Sequence, residues 1–181
     1  MQSLLRLLLA AFLAGLLSAC GGGIGVEFVD DFDDHDHEEF VDDRPFPSGR
    51  PGSVTVSAAT EPAMLGTYAS SDVRVTHVFR FFPLGEFPET CRFQFEGLLE
   101  PRTSAAMAGE ILYLPGTDTV HASFIVIDFQ EFRVNGNATL DRAGNAIVFN
   151  GAVLTSTQAP SRTITISGTV PMQNEPKPAG C

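Results

Sequence analysis

Residues able to do chemistry are few, and the densest group lies in one short run. Asp33-Asp34-His35-Asp36-His37-Glu38-Glu39 sets imidazole beside carboxylate, the donor mixture that suits Zn²⁺ and related divalent ions. In extended chain His35 and His37 share a side, and Asp33 and Asp36 complete the candidate metal set. As a calcium loop counted from Asp31 the run fails, because Asp36 stands where the sharp turn demands Gly. The run lies within Glu27–Asp43, which holds ten acidic residues and no Lys or Arg. Such charge runs are usually solvated and bind cations weakly and without selectivity. A solvated acidic tether is the favoured reading, with divalent-metal capture as the sharper alternative.

The other candidates are single residues. Between Asp72 and Phe82, period two places Val73, Val75, His77, Phe79 and Phe81 on one face, with Arg74, Thr76 and Arg80 opposite. That phase puts His77 among apolar side chains, as a hydrogen-bonded core residue, a ligand-pocket wall or a base in a cavity. His121 shares a face with Thr119 and Ser123 and is expected to be exposed. The phenylalanines Phe79, Phe81, Phe93 and Phe95 read first as core, with a lipid or ligand pocket as the alternative. No Gly-Xaa-Ser-Xaa-Gly elbow, phosphate loop, His-Glu-Xaa-Xaa-His or paired Cys-Xaa-Xaa-Cys occurs. No cofactor is implied, and the expectation is a protein that is not an enzyme.

The elements that must position these residues begin with charge. Net charge is −11 over 181 residues, but it is concentrated in Glu27–Asp43, and the part from Arg44 onward is nearly neutral. Nothing offers the basic footprint that nucleic-acid binding requires. With 44% apolar and 18% charged residues, the composition is that of a globular chain.

At the start, Met1 to Arg6 carries one positive charge and Leu7–Leu17 is an unbroken apolar run. These are the charged and apolar regions of an export signal, too short for the roughly 20 apolar residues of a membrane-crossing helix. Leu17-Ser18-Ala19-Cys20 resembles the lipobox of bacterial lipoproteins, a resemblance covering residues 1–21 alone. It implies cleavage after Ala19 and diacylglycerol on the Cys20 sulfur, so that the membrane itself is a partner through lipid. Each buried CH₂ contributes about 0.8 kcal/mol, which is why more than one chain is needed for firm anchoring. Gly21 in place of Asp after the cysteine implies an outer-membrane destination in a Gram-negative envelope. With Cys20 lipidated, Cys91 and Cys181 have only each other, and an oxidising compartment predicts the disulfide Cys91–Cys181. The Pro-rich tail before Cys181 offers little to pack it, and such an end would fray without a covalent tie.

Three segments result: a signal peptide at 1–19, a lipidated acidic and Pro/Gly tether at 20–52, and a β domain at 53–181. In the last, Cys91–Leu99, Thr119–Asp128, Phe132–Leu140 and Thr163–Val170 alternate in the manner of half-buried antiparallel strands. In Thr119–Asp128 the inward set reads Val120, Ala122, Phe124 and Val126. Ala105–Leu114 and Ala146–Thr155 are apolar on both faces, as central or covered strands. Pro and Gly punctuate the breaks, as in Pro115-Gly116-Thr117-Asp118 and Asp141-Arg142-Ala143-Gly144-Asn145. The expected fold is all-β, an antiparallel meander of about eight strands, as a small barrel or a two-sheet sandwich, with hairpin spacing favouring the barrel. The leading function is an envelope lipoprotein that binds a protein partner or small apolar ligand. A hydrolase using His77 and metal capture by the His35/His37 run are the alternatives.

Overall fold

The computed structural model describes residues 44–82 and 88–181. The readings for residues 1–43, including lipid on Cys20 and metal on Asp33, His35, Asp36 and His37, lie outside them. Twelve strands follow in order: β1 (Phe46–Pro47), β2 (Gly52–Ala59), β3 (Gly66–Ser70), β4 (Arg74–Val75), β5 (Phe79–Phe81), β6 (Thr90–Leu99), β7 (Ala106–Tyr113), β8 (Val120–Ile127), β9 (Gln130–Asn135), β10 (Ala138–Asp141), β11 (Ala146–Ser156) and β12 (Thr163–Pro171). There is no α-helix among the described residues. Eight of these strands close on themselves in the order β2-β3-β6-β7-β8-β9-β11-β12, with β12 returning to β2 and every pairing antiparallel. The fold is an up-and-down barrel, and the sandwich alternative is set aside. Short turns explain the order, because neighbours in sequence meet before distant strands can. The β8–β9 connection is a two-residue turn, with Asp128 and Phe129 both at positive φ, the geometry that matches strand twist in a two-residue hairpin.

The interior is packed with side chains. Tyr68, Phe93, Phe95, Leu98, Met107, Ile111, Tyr113, Ile125, Ile127, Phe132, Ile147 and Phe149 are all fully buried. An eight-stranded barrel is just wide enough to be filled this way, and each such side chain contributes roughly 1.5–3 kcal/mol by leaving water. Gly109 makes room for one of them: a Cβ there would lie 2.7 Å from the Phe95 ring and 2.6 Å from the Phe124 carbonyl oxygen. Apolar inside and Thr, Ser, Arg and Glu outside is the reverse of a membrane-spanning barrel.

Three strand phases differ from the sequence expectation, each for a local reason. In Thr119–Asp128, Leu112 pairs with Ala122 but Tyr113 pairs with Val120, leaving His121 as the extra residue of a bulge. The phase reverses there, so Ser123, Ile125 and Ile127 point inward while Ala122, Phe124 and Val126 line the outer wall. At Gly97 (φ +87) a second register shift sends Leu98 inward and leaves Leu99 49% exposed. Between β4 and β5 the chain bends, burying Thr76 and Val78 and turning Phe79 and Phe81 outward. By contrast β9–β10 keeps its phase through Gly136 and Asn137, and β12 alternates as expected, burying Ile164, Ile166 and Val170.

The body also begins earlier than Ser53. Phe46 and Pro47 pair with Val75 and Arg74, and the Arg50 guanidinium donates to the Gly144 and Asn145 carbonyls at 2.6 and 2.9 Å. At the other terminus Cys91 and Cys181 are joined, with Cα atoms 5.6 Å apart. The tail is better held than its composition suggests. Met172 and Gln173 are buried, the Tyr113 hydroxyl donates to the Cys181 carbonyl at 3.0 Å, and the Gly116 amide donates to the Gly180 carbonyl at 2.8 Å. Arg80 adds a bond to the Ala179 carbonyl.

Candidate functional site

One apolar concavity among the described residues is built on the barrel wall. The bulge at His121 turns Ala122 and Phe124 outward, opposite Leu112 and Glu110 of β7 on one side and Asn135 and Arg133 of β9 on the other. On β5 and β6, Phe81 lies opposite Thr90. Phe81, Thr90, Leu112, Ala122, Phe124 and Arg133, with Pro88 and His121, line a groove of about 270 Å³. Its surface is mainly apolar, and no acidic residue among the described ones lines it.

Two guanidinium groups border this region and differ in their partners. Arg92 of β6 lies over the Phe79 and Phe81 rings, 5.4 and 5.7 Å from their centroids. Its Nη2 donates to Glu110 Oε2 at 2.5 Å, and Gln94 donates to the same oxygen at 3.1 Å. Arg133 lies 5.0 Å from the Phe124 centroid, and its Nε donates to Asn135 Oδ1 at 3.2 Å. No carboxylate among the described residues pairs with Arg133. Thr90 is 2% exposed, and its Oγ1 is one of three buried side-chain polar atoms without a hydrogen-bond partner among the described residues. Buried polar groups are almost always paired, so an orphan in the wall of a groove is informative. A ring-lined floor with a guanidinium at its rim can hold a ligand; among the described residues no hydroxyl or thiol is hydrogen-bonded to His121 there.

His77 is elsewhere. Its ring is 41% exposed, lies 4.5 Å from Phe46 and places Nδ1 2.9 Å from Glu175 Oε2. This is a base beside a carboxylate with no hydroxyl or thiol bonded to the ring, the orienting half of a triad alone. The expectation of a core His77 is corrected: the strand ends at Val75, and the bend leaves the ring partly exposed. His121, expected to be exposed, is half-buried at the groove. The four phenylalanines divide, Phe93 and Phe95 to the core and Phe79 and Phe81 to the outside. Thr90, Phe124 and Arg133 were not candidates in the sequence. Their one signal was Ala105–Leu114, whose second apolar face supplies Leu112 to the groove.

Two tuned groups lie away from the groove. Glu100 is buried in the β6–β7 turn and accepts from Arg102 Nε (2.8 Å), Thr103 Oγ1 (2.9 Å) and the Thr103 and Arg102 amides (2.8 and 3.0 Å). The Arg102 guanidinium, followed by these Thr103 donors, pulls the carboxyl down to about 2 against the opposing effect of burial. Burial pushes the Tyr113 hydroxyl up to about 12 and raises Tyr68 as well. Among the described residues no three His, Cys, Asp or Glu side chains are placed to hold a metal ion. No helix among them is long and apolar enough to cross a membrane. No protein-family model matches the chain, no curated protein matches it, and no solved structure matches its fold.

Proposed function

We propose that this chain is a lipid-anchored protein of the bacterial cell envelope, non-enzymatic, whose barrel binds a small apolar ligand or a protein partner on its outer wall. The observation that supports this most is the division between a packed interior and an aromatic groove outside. A filled barrel leaves binding to the wall, and the wall groove combines apolar surface with a guanidinium that makes no ion pair among the described residues. The anchor rests on Leu17-Ser18-Ala19-Cys20 and its apolar leader. The hydrolase alternative draws on the His77–Glu175 pair, which lacks a nucleophile.

One expression experiment addresses both readings. Cells fed labelled fatty acid are expected to label the wild-type chain and not Cys20→Ser, which stays largely uncleaved. Label on Cys20→Ser would remove the anchor from the proposal. The purified protein is then offered a panel of short-chain esters and peptides. Turnover that disappears in His77→Ala would replace the binding reading with the enzymatic one.

A further inference from the structure

We propose that the outer-wall groove is a site for a small amphipathic carboxylate, its apolar body lying along Phe81 and Phe124 and its carboxylate on Arg133. The inference rests on the binding reading above and gives it a ligand class. Size is the first constraint. At about 270 Å³ the groove stands just below the usual range of roughly 300–1,000 Å³ for ligand pockets, so a single ring or short chain fits and a full lipid does not.

Charge is the second. Among the described residues, Arg92, Glu110, Glu131 and Arg133 and the Arg80–Glu89 pair are the charged side chains beside the groove's lining in sequence or register. Arg92 is neutralised by Glu110 at 2.5 Å. Glu131, opposite Val126 on β9, makes no ion pair with Arg133. An incoming anion therefore meets the Arg133 guanidinium, with the half-buried His121 ring also lining the groove and no acid among the described lining residues. Stacking on Phe124 and the bond to Asn135 hold that guanidinium in place, leaving N–H groups for a ligand. The planar guanidinium fork matches two carboxylate oxygens, which a point charge does not.

Apolar floor and a guanidinium without a carboxylate partner among the described residues are the features of a site for an acid with an apolar body.

The test uses the lipidated full chain in phosphatidylcholine nanodiscs, with empty nanodiscs subtracted. Titration calorimetry compares 4-phenylbutyrate with its neutral amide, 4-phenylbutanamide. The acid is expected to bind at least tenfold tighter than the amide. Arg133→Gln should abolish that difference, and Phe124→Ala should weaken both probes. Arg133 is exposed and Phe124 points outward, so both variants are expected to fold, checked by an unchanged thermal midpoint. Equal binding of acid and amide, both weakened by Phe124→Ala, would overturn the carboxylate assignment and leave the binding reading standing. Binding of neither probe, or binding indifferent to Phe124→Ala, would overturn the groove as a site altogether.

Discussion

Breaking Cys91–Cys181 should destabilise the body by about 4–5 kcal/mol, and the structure says in which state the change acts. The bridge spans 90 positions. In the chain-entropy treatment, closing a loop of that length removes about 15 cal/mol/K from the unfolded ensemble, or about 4.6 kcal/mol at room temperature. The native tail has other ties, from Tyr113 to the Cys181 carbonyl and from Gly116 to Gly180. Reduction should therefore leave the folded state nearly unchanged and enlarge the unfolded one. Urea titrations with and without reductant measure the difference. With a slope of roughly 1–3 kcal/mol per M, the midpoint should fall by about 2 M. Near-ultraviolet circular dichroism of the reduced, folded protein should match the oxidised spectrum. A loss below about 1 kcal/mol would refute the entropic argument. A large loss accompanied by a changed native spectrum would show instead that the bond holds native packing together. The sequence-based reason, a tail too poorly packed to stay put, does not survive; the pairing itself does.

Three further predictions come from particular contacts. Glu100 has its folded pKa lowered to about 2, so its contribution is complete above the ordinary carboxylate range near 4.5 and is lost as pH falls toward 2. Glu100→Gln should flatten the fall in thermal midpoint over that window, and an unchanged profile would exclude Glu100 as a source of acid sensitivity. Both tyrosines of the chain are buried and titrate above the free phenol, so phenolate absorbance at pH 10.5 should be lower in folded protein than in denaturant. A proton retained by the fold and lost by the open chain lowers stability as pH rises from 10 toward 12. Gly168 sits at φ +146, where a Cβ would come within 2.1 Å of the Ser53 carbonyl and 2.7 Å of Val54 Cα. Gly168→Ala should cost about 3 kcal/mol or more from strain and overpacking together, read by urea unfolding, and a loss under about 0.5 kcal/mol would contradict that contact.

How much of this was readable beforehand depends on what kept the two-residue period intact. In β12 and β9–β10 nothing interrupts the ladder's inward phase, and Ile164, Ile166, Phe132 and Leu140 fall where alternation puts them. In β8 a single inserted residue, His121, inverts everything after it, because a shift by one residue moves a whole strand's side chains to the other face. No sequence feature marks that bulge; it exists because Tyr113 and Val120 pair while Leu112 and Ala122 also pair. The groove was hidden for the same reason. Its Phe124 reads as core until the bulge is known, and Arg133 reads as an ordinary solvated charge until it is found over the Phe124 ring. The Cys91–Cys181 pairing was legible because elimination needs no geometry.

The seam between β2 and β12 has a kinetic consequence. Ser53 pairs with Thr169 and Ala59 with Ile164, so the barrel closes only after almost the whole body has been made and its hairpins have formed. Non-local pairings of this kind pay their loop entropy before any contact repays it, and they form late. Until then both strands present open edges, the template on which two chains can pair with each other in place of themselves. Gly168, crowded against Ser53 and Val54, lies one pair in from the Ser53–Thr169 end of that seam. Substitutions there should therefore show first as aggregated or domain-swapped material and reduced yield, in molecules that never reached the folded state whose stability could be measured.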